Sequence, residues 1–230
     1  MFKNYLKKFY LKSLNNDFEE RIFIKFFQKY INENKSILDV GCGYGRYMKI
    51  ISKLYPNITG IDVNQKSIND LKRQGFQALS IDEFNKTNTK FDVIILSHII
   101  EHFTPNDLLN FLENYLIHLN NDGYLIIGTP LLSKYFYDDF DHVKPYHPNG
   151  FKMIFENKKS QVQYHSKFNL KMIDINFRRS PFKIVFHRSF YIKKSTKYPY
   201  LINFLLSLLF KISFGKIGKI DGWCGVFQLN

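Results

Sequence analysis

Apolar residues fall into two rhythms along this chain. Ile22, Phe23, Phe26, Phe27 and Tyr30 recur at helical spacing between Phe18 and Ile31. Upstream, Phe2, Leu6, Phe9 and Tyr10 share one side of a shorter pattern whose remainder is largely Lys3, Lys7, Lys8 and Lys12. From Ile37 on, continuous apolar runs alternate with helical patterns: Ile37 to Val40, Ile58 to Val63, Phe76 to Ile81 and Phe91 to Leu96, then the run that closes NNDGYLIIGTP. The segments between them place Tyr47, Ile50, Ile51 and Leu54 on one helix face, run from Ser67 to Gln74 before Gly75, and run from Pro105 to Leu119 behind Thr104 as N-cap. Runs without a polar alternate suit strands covered on both faces. Five alternations of strand and helix predict an α/β fold with a doubly wound, mostly parallel sheet. Leu170 to Phe177 and Trp223 to Gln228 supply a sixth and a seventh strand, with a helical insertion between them.

The 230 residues suffice for one such domain. It divides into a helical cap (1–35), a core (36–177), an insertion (178–222) and a last strand (223–230). Two cysteines, Cys42 and Cys224, give neither a disulfide framework nor zinc-finger spacing, so a reducing, cytoplasmic setting is expected. The formal net charge of +13 would favour phosphates, nucleic acid or an anionic membrane face. Part of it follows from a general richness in Lys, Asn, Ile and Phe, and no RNA-binding module or dense Arg/Lys patch stands out, so nucleic acid is the weaker expectation. The N-terminus lacks a signal-peptide pattern, and no run of about 18 apolar residues is found.

The chemistry concentrates in SILDVGCGYGRYM, Ser36 to Met48, which reads as strand, glycine turn and helix. Glycines there permit positive φ and let a ligand rest against the backbone and the helix N-terminus. A dinucleotide fingerprint needs G-x-G-x-x-G. Here the third glycine comes one residue early, and Arg46 stands where a small residue is required, which argues against a nicotinamide enzyme. Downstream, Asp62 ends the second strand about 20 residues beyond the turn, where a carboxylate can accept from both ribose hydroxyls.

In LDVGCGYG, Asp39, Gly41, Gly43 and Gly45 resemble motif I of class I S-adenosylmethionine-dependent methyltransferases. The resemblance covers roughly Ser36 to Phe155 and implies the Rossmann-like, seven-stranded fold of that family. It also implies S-adenosylmethionine as cofactor: the methionine end over Asp39, Gly41, Cys42, Gly43 and Gly45, the ribose on Asp62 beside Val63, and adenine near Asp82, with Ser97 lining the cleft. The segment SHIIEHF sets His98, Glu101 and His102 at i, i+3 and i+4, where one helical turn would aim all three at the same space. Two branches of the family hold a divalent metal with Glu-x-x-Glu-His and a later His. By that analogy His98, Glu101, His102 and His142 are the metal candidates, but His98 replaces the first Glu and no metal is expected. DHVKPYHP, within the loop Ser133 to Gly150, resembles a segment of many family members. His142 and His98 are the candidate catalytic residues, His142 as a base toward a hydroxyl.

The insertion contains YPYLINFLLSLLFKISF, Tyr198 to Phe214, interrupted only by Asn203, Ser207 and Lys211 in one thin polar stripe. Such a helix is buried, paired with another subunit, or seated in a membrane interface as a peripheral contact. The expected acceptor is a small molecule, a glycan or a lipid-linked intermediate. An RNA 2′-hydroxyl and a non-catalytic cofactor-binding role are the alternatives, and the oligomeric state is left open.

Overall fold

The structure is a computed structural model that describes residues 17–133, 135–156, 161–184 and 197–230. The basic pattern over the first dozen residues therefore lies outside the described residues. Helix α1 (Asp17–Tyr30) leads to strand β1 (Ile37–Val40) and α2 (Arg46–Ile51). Then come β2 (Ile58–Asp62), α3 (Gln65–Arg73), β3 (Gln77–Ser80), the single turn α4 (Ile81–Phe84) and β4 (Phe91–Ser97). The chain continues through α5 (Pro105–Leu116), β5 (Leu119–Pro130), α6 (Pro148–Phe155), β6 (Leu170–Ser180), α7 (Lys197–Ile212) and β7 (Lys219–Leu229).

The seven strands form one sheet in the order β3-β2-β1-β4-β5-β7-β6, in which only β7 runs against its neighbours. The strand order reverses between β1 and β4, and in such sheets ligands bind outside the carboxyl ends of the strands at that point. β1 is buried along its whole length, as its unbroken apolar run predicts. One face of the sheet packs against Phe23, Phe26 and Phe27 of α1 and Tyr47, Met48 and Ile51 of α2; the other packs against Leu108, Leu112 and Leu116 of α5 and Phe151 and Phe155 of α6. Phe23 lies against Gly128 of β5, where a Cβ would collide with its ring, and it stacks on Tyr47 at 4.4 Å. These contacts seat α1 against β5 and against α2, the helix that follows the glycine turn.

Two boundaries and one helix orientation differ from the sequence expectation for physical reasons. α3 begins at Gln65 because the Asn64 side chain caps it, accepting from the Lys66 and Ser67 amides. SHIIEHF forms a single 3₁₀ turn, Ile100–His102, because His98 adopts a left-handed φ of 56° and breaks the helix before it starts. α7 is turned opposite to an ordinary amphipathic helix. Asn203, Ser207 and Phe210 face the protein, with Asn203 Oδ1 accepting from the Ile184 amide at 2.9 Å, while the leucines of the other face are exposed. Burial of the apolar face, one of the three expectations, is thereby corrected: Asn203 and Ser207 of the stripe pack inward, while Lys211, its third member, is exposed. No helix among the described residues is long and apolar enough to cross a membrane.

Candidate functional site

Gly41, Gly43 and Gly45 leave the carboxyl end of β1 with φ of 67°, 53° and 74°, a left-handed run that residues with a Cβ resist. At Gly41 a Cβ would strike Ile99, and at Gly45 it would strike Leu71, so the turn is wedged between the β4 loop and α3. Above Gly43 nothing lies within 4 Å. Bare backbone there faces open space at the head of α2.

Asp62 closes this turn from the adjacent strand. Its Oδ2 accepts from the Gly43 amide at 2.8 Å and its Oδ1 from the Asn64 amide at 2.7 Å. A carboxylate has about four acceptor sites, so each oxygen keeps a lone pair for a hydroxyl. Val63, beside it, is almost fully exposed, and Asp82 is exposed in the first turn of α4 at the same edge of the sheet. Cys42 does not join them. Its side chain points down among the core residues beside Met48 and Gly60, and its amide is committed to the Ile61 carbonyl. Any role it has in cofactor binding cannot run through its thiol.

Asp39 is 2 % exposed in β1, and its Oδ2 has no partner among the described residues. Burial, reinforced by the nearby Asp62 charge, pushes its carboxyl up from 3.8 to about 7. A proton is therefore bound more tightly in the folded than in the unfolded chain, and stability from this group declines as pH rises from 3.8 towards 7. Asp39→Asn is expected to flatten that part of the pH-stability curve in thermal unfolding; an unchanged slope would mean Asp39 titrates normally.

The carboxyl ends of β4, β5 and β6 meet in a buried ionic network whose centre is Glu19 of α1, 1 % exposed. Glu19 Oε2 accepts from Arg178 Nη1 at 2.5 Å and contacts His98 Nε2 at 3.0 Å, while Oε1 accepts from Tyr47 Oη at 2.8 Å and Ser97 Oγ at 3.1 Å. His98 Nδ1 lies 3.1 Å from Glu101 Oε1, Glu101 Oε2 accepts from Thr129 Oγ1 at 2.9 Å, and Arg178 Nε donates to Asp221 Oδ1 at 3.0 Å. Burial would lower the His98 pKa, but the two carboxylates outweigh it and raise it to about 9; the same cations hold the Glu19 carboxyl far below the usual range despite its burial. Both ring nitrogens of His98 are engaged, Nε2 lying also 3.1 Å from Arg178 Nη1.

His102 and His142 lie on the far side of Glu101. The rings are 5.0 Å apart; His102 Nδ1 meets the Asp141 carbonyl at 3.0 Å and His142 Nδ1 the Phe136 carbonyl at 2.6 Å. One ligand atom each from Glu101, His102 and His142 falls within 4.8 Å of the others. His98 is outside this group, so the four metal candidates of the sequence divide into three and one. The loop carrying His142 is tied down: the Val143 amide donates to the Glu101 carbonyl at 2.8 Å, and Trp223 Nε1 to the Tyr146 carbonyl at 2.7 Å. Tyr137, Phe140 and Val143 are left exposed on it.

The structure thus gathers Asp39, the three glycines, Asp62, Val63, Asp82, Ser97 and His98 along one edge of the sheet, with His142 anchored behind Glu101. Glu19, Arg178 and Asp221 had no signature in the sequence, and nothing there assigned Tyr47 or Thr129 to this network. Glu19 and Arg178 are 159 positions apart and only the fold pairs them.

Comparison with known proteins gives a consistent picture. The methyltransferase domain family matches residues 14–175. Among curated relatives, a ribosomal protein L11 methyltransferase of Campylobacter lari is 30% identical over 118 residues, covering 49% of this chain and 40% of the relative. A ubiquinone biosynthesis O-methyltransferase of Pelagibacter ubique is 33% identical over 104 residues, covering 42% of each. The chain spans about half the length of the curated relatives it matches. A solved structure of a SAM dependent methyltransferase from Archaeoglobus fulgidus superposes with a TM-score of 0.59 at 21% identity, covering 90% of this chain and 91% of that one, which supports the fold.

Proposed function

The chain belongs to the methyltransferase domain family, and from that premise we propose that it is an S-adenosylmethionine-dependent methyltransferase acting on an oxygen of a small molecule, a glycan or a lipid-linked acceptor. The observation that carries this reading is the union of Asp62 with the glycine turn: a carboxylate with spare lone pairs beside bare backbone at the point where the strand order reverses. Asp39 fits as well, since its unpaired Oδ2 suits a cationic group.

Gly41, Gly43 and Gly45 would hold the methionine end of the cofactor and Asp62 the ribose, with Val63 and Asp82 at the adenine side and Ser97 lining the cleft. When bound, S-adenosylmethionine supplies a methyl group already activated by its sulfonium. The residues of this chain position the partners and exclude water, and a base is required only for an acceptor that arrives protonated. Both ring nitrogens of His98 are taken up by Glu19, Glu101 and Arg178, which suits anchoring rather than proton abstraction. His142 has its Nδ1 directed at the Phe136 carbonyl, and its Nε2, 3.8 Å from Asp139 Oδ2, is the nitrogen that would take a hydroxyl proton. The names of the two relatives, one acting on a ribosomal protein and one in ubiquinone synthesis, do not agree on an acceptor. The apolar side chains exposed on the His142 loop support the less polar class.

A second reading rests on the cluster of Glu101, His102 and His142. Its imidazole content suits zinc, iron or nickel better than magnesium, and a metal-assisted transfer, to RNA 2′-oxygens among other acceptors, would use it. The test is a labelled-methyl assay on cell extract separated into small-molecule, lipid, glycan, RNA and protein fractions, with and without chelator. Label in the first three fractions, insensitive to chelator, is expected. Label confined to RNA and abolished by chelator would favour the second reading, and the absence of any S-adenosylhomocysteine binding in calorimetry would defeat both.

A further inference from the structure

The exposed face of α7 has no counterpart in the catalytic reading. Leu201, Leu205, Leu208, Leu209 and Ile212 recur along it and Phe214 follows, each between 36 % and 82 % exposed, while Asn203 and Ser207 of the polar stripe are turned inward and its Lys211 is exposed. A monomer in water rarely presents such a face without a partner. Charge identifies the partner. Between Asp174 and Asp221 the sequence contains ten Lys and Arg residues and no Asp or Glu, so most of the chain's net charge of +13 originates in this span. Of these, Lys211, Lys216 and Lys219 are exposed on and just beyond α7.

We infer that α7 seats this protein on an anionic membrane surface, with its leucine face in the headgroup and acyl boundary and the surrounding lysines against lipid phosphates. An interface of that kind accepts apolar and cationic groups together. A nucleic acid would satisfy the lysines and leave the leucines unmatched. A second copy docked by the same face would, under two-fold symmetry, set one acid-free span against the other. The placement adds a functional consequence that rests on the methyltransferase reading. α7 joins the carboxyl end of β6 to β7, where Gly222 pairs with both Pro130 and Arg178, so the seated face and the Glu19 network share one edge of the sheet. An acceptor carried by the lipid phase would then arrive at the side of the molecule that holds the cofactor cleft.

The test is co-sedimentation of the full chain with vesicles of phosphatidylcholine alone or mixed with phosphatidylglycerol, for the wild type and for Leu205→Glu/Leu209→Glu. Binding to the mixed vesicles alone is expected, weakened by added salt and reduced at least ~10-fold in the variant, in keeping with the insertion penalty of acidic groups. S-adenosylhomocysteine binding should be unchanged in the variant, which shows that it is folded. Equal retention of variant and wild type, or no retention of the wild type on the mixed vesicles, would overturn the inference. So would a dimer, seen by analytical ultracentrifugation, that the variant dissociates. Failure of the wild type to bind S-adenosylhomocysteine would strike the methyltransferase reading and leave the docking result standing.

Discussion

Asp62→Ala is expected to weaken S-adenosylhomocysteine binding by roughly 100-fold or more, on the usual figure of about 1.5–3 kcal/mol for each hydrogen bond to a charged acceptor and two ribose hydroxyls lost. The same change removes the acceptors of the Gly43 and Asn64 amides, so the glycine turn loses its brace along with the sugar's partner. Asp62→Asn discriminates between shape and charge. It turns one acceptor into a donor facing a backbone N–H, and is expected to fall nearer to Ala than to wild type. Calorimetry, with circular dichroism to confirm the fold, reads the outcome; a change of less than about threefold, around 0.6 kcal/mol, would remove Asp62 from the cofactor site.

Glu19→Ala is expected to reduce global stability by about 3–5 kcal/mol, the range for removing one partner of a buried ion pair. Against a typical domain stability of about 5–15 kcal/mol that is a large fraction. The reason is positional: Glu19 is 1 % exposed and is shared by Arg178, His98, Tyr47 and Ser97. Arg178 keeps Asp221, whereas His98 keeps only Glu101 and should titrate nearer to its ordinary 6.5 than to the present value of about 9. The sign follows. His98 stabilises the fold fully below 6.5, and this contribution is lost as pH rises through about 9. In the variant that loss should begin at lower pH. Urea unfolding at several pH values, with the His98 resonance followed by NMR, measures both effects; a destabilisation under about 1 kcal/mol would place Glu19 among ordinary surface charges.

The strands, the glycine turn and Asp62 were legible in the sequence because each is a local event. A continuous apolar run, a left-handed turn and a strand-end carboxylate leave their marks within a dozen residues. What escaped detection depends on long-range pairing. Glu19 stands beside Glu20 in a helix whose polar positions look alike, and only the approach of Arg178 across the folded sheet distinguishes the buried one. His98 was readable as a residue but not as a left-handed break, so its spacing to His102 suggested a shared helical face that the backbone does not form. The orientation of α7 was likewise beyond periodicity, which locates a stripe and cannot say which side of it meets water. Asn64, by contrast, was a capping signal in plain view.

The one antiparallel strand sets the order of assembly. β7 follows β6 in the chain, yet it lies between β5 and β6 and, among the described residues, is the only strand paired with β6. On a ribosome, a nascent chain can therefore close the sheet from β3 through β5 early, while β6 waits without a hydrogen-bonding partner until residues 219–229 emerge and thread into the gap. During that interval the flank of β5 and the whole of β6 are open to mispairing, and it is there that a chaperone would have most to protect.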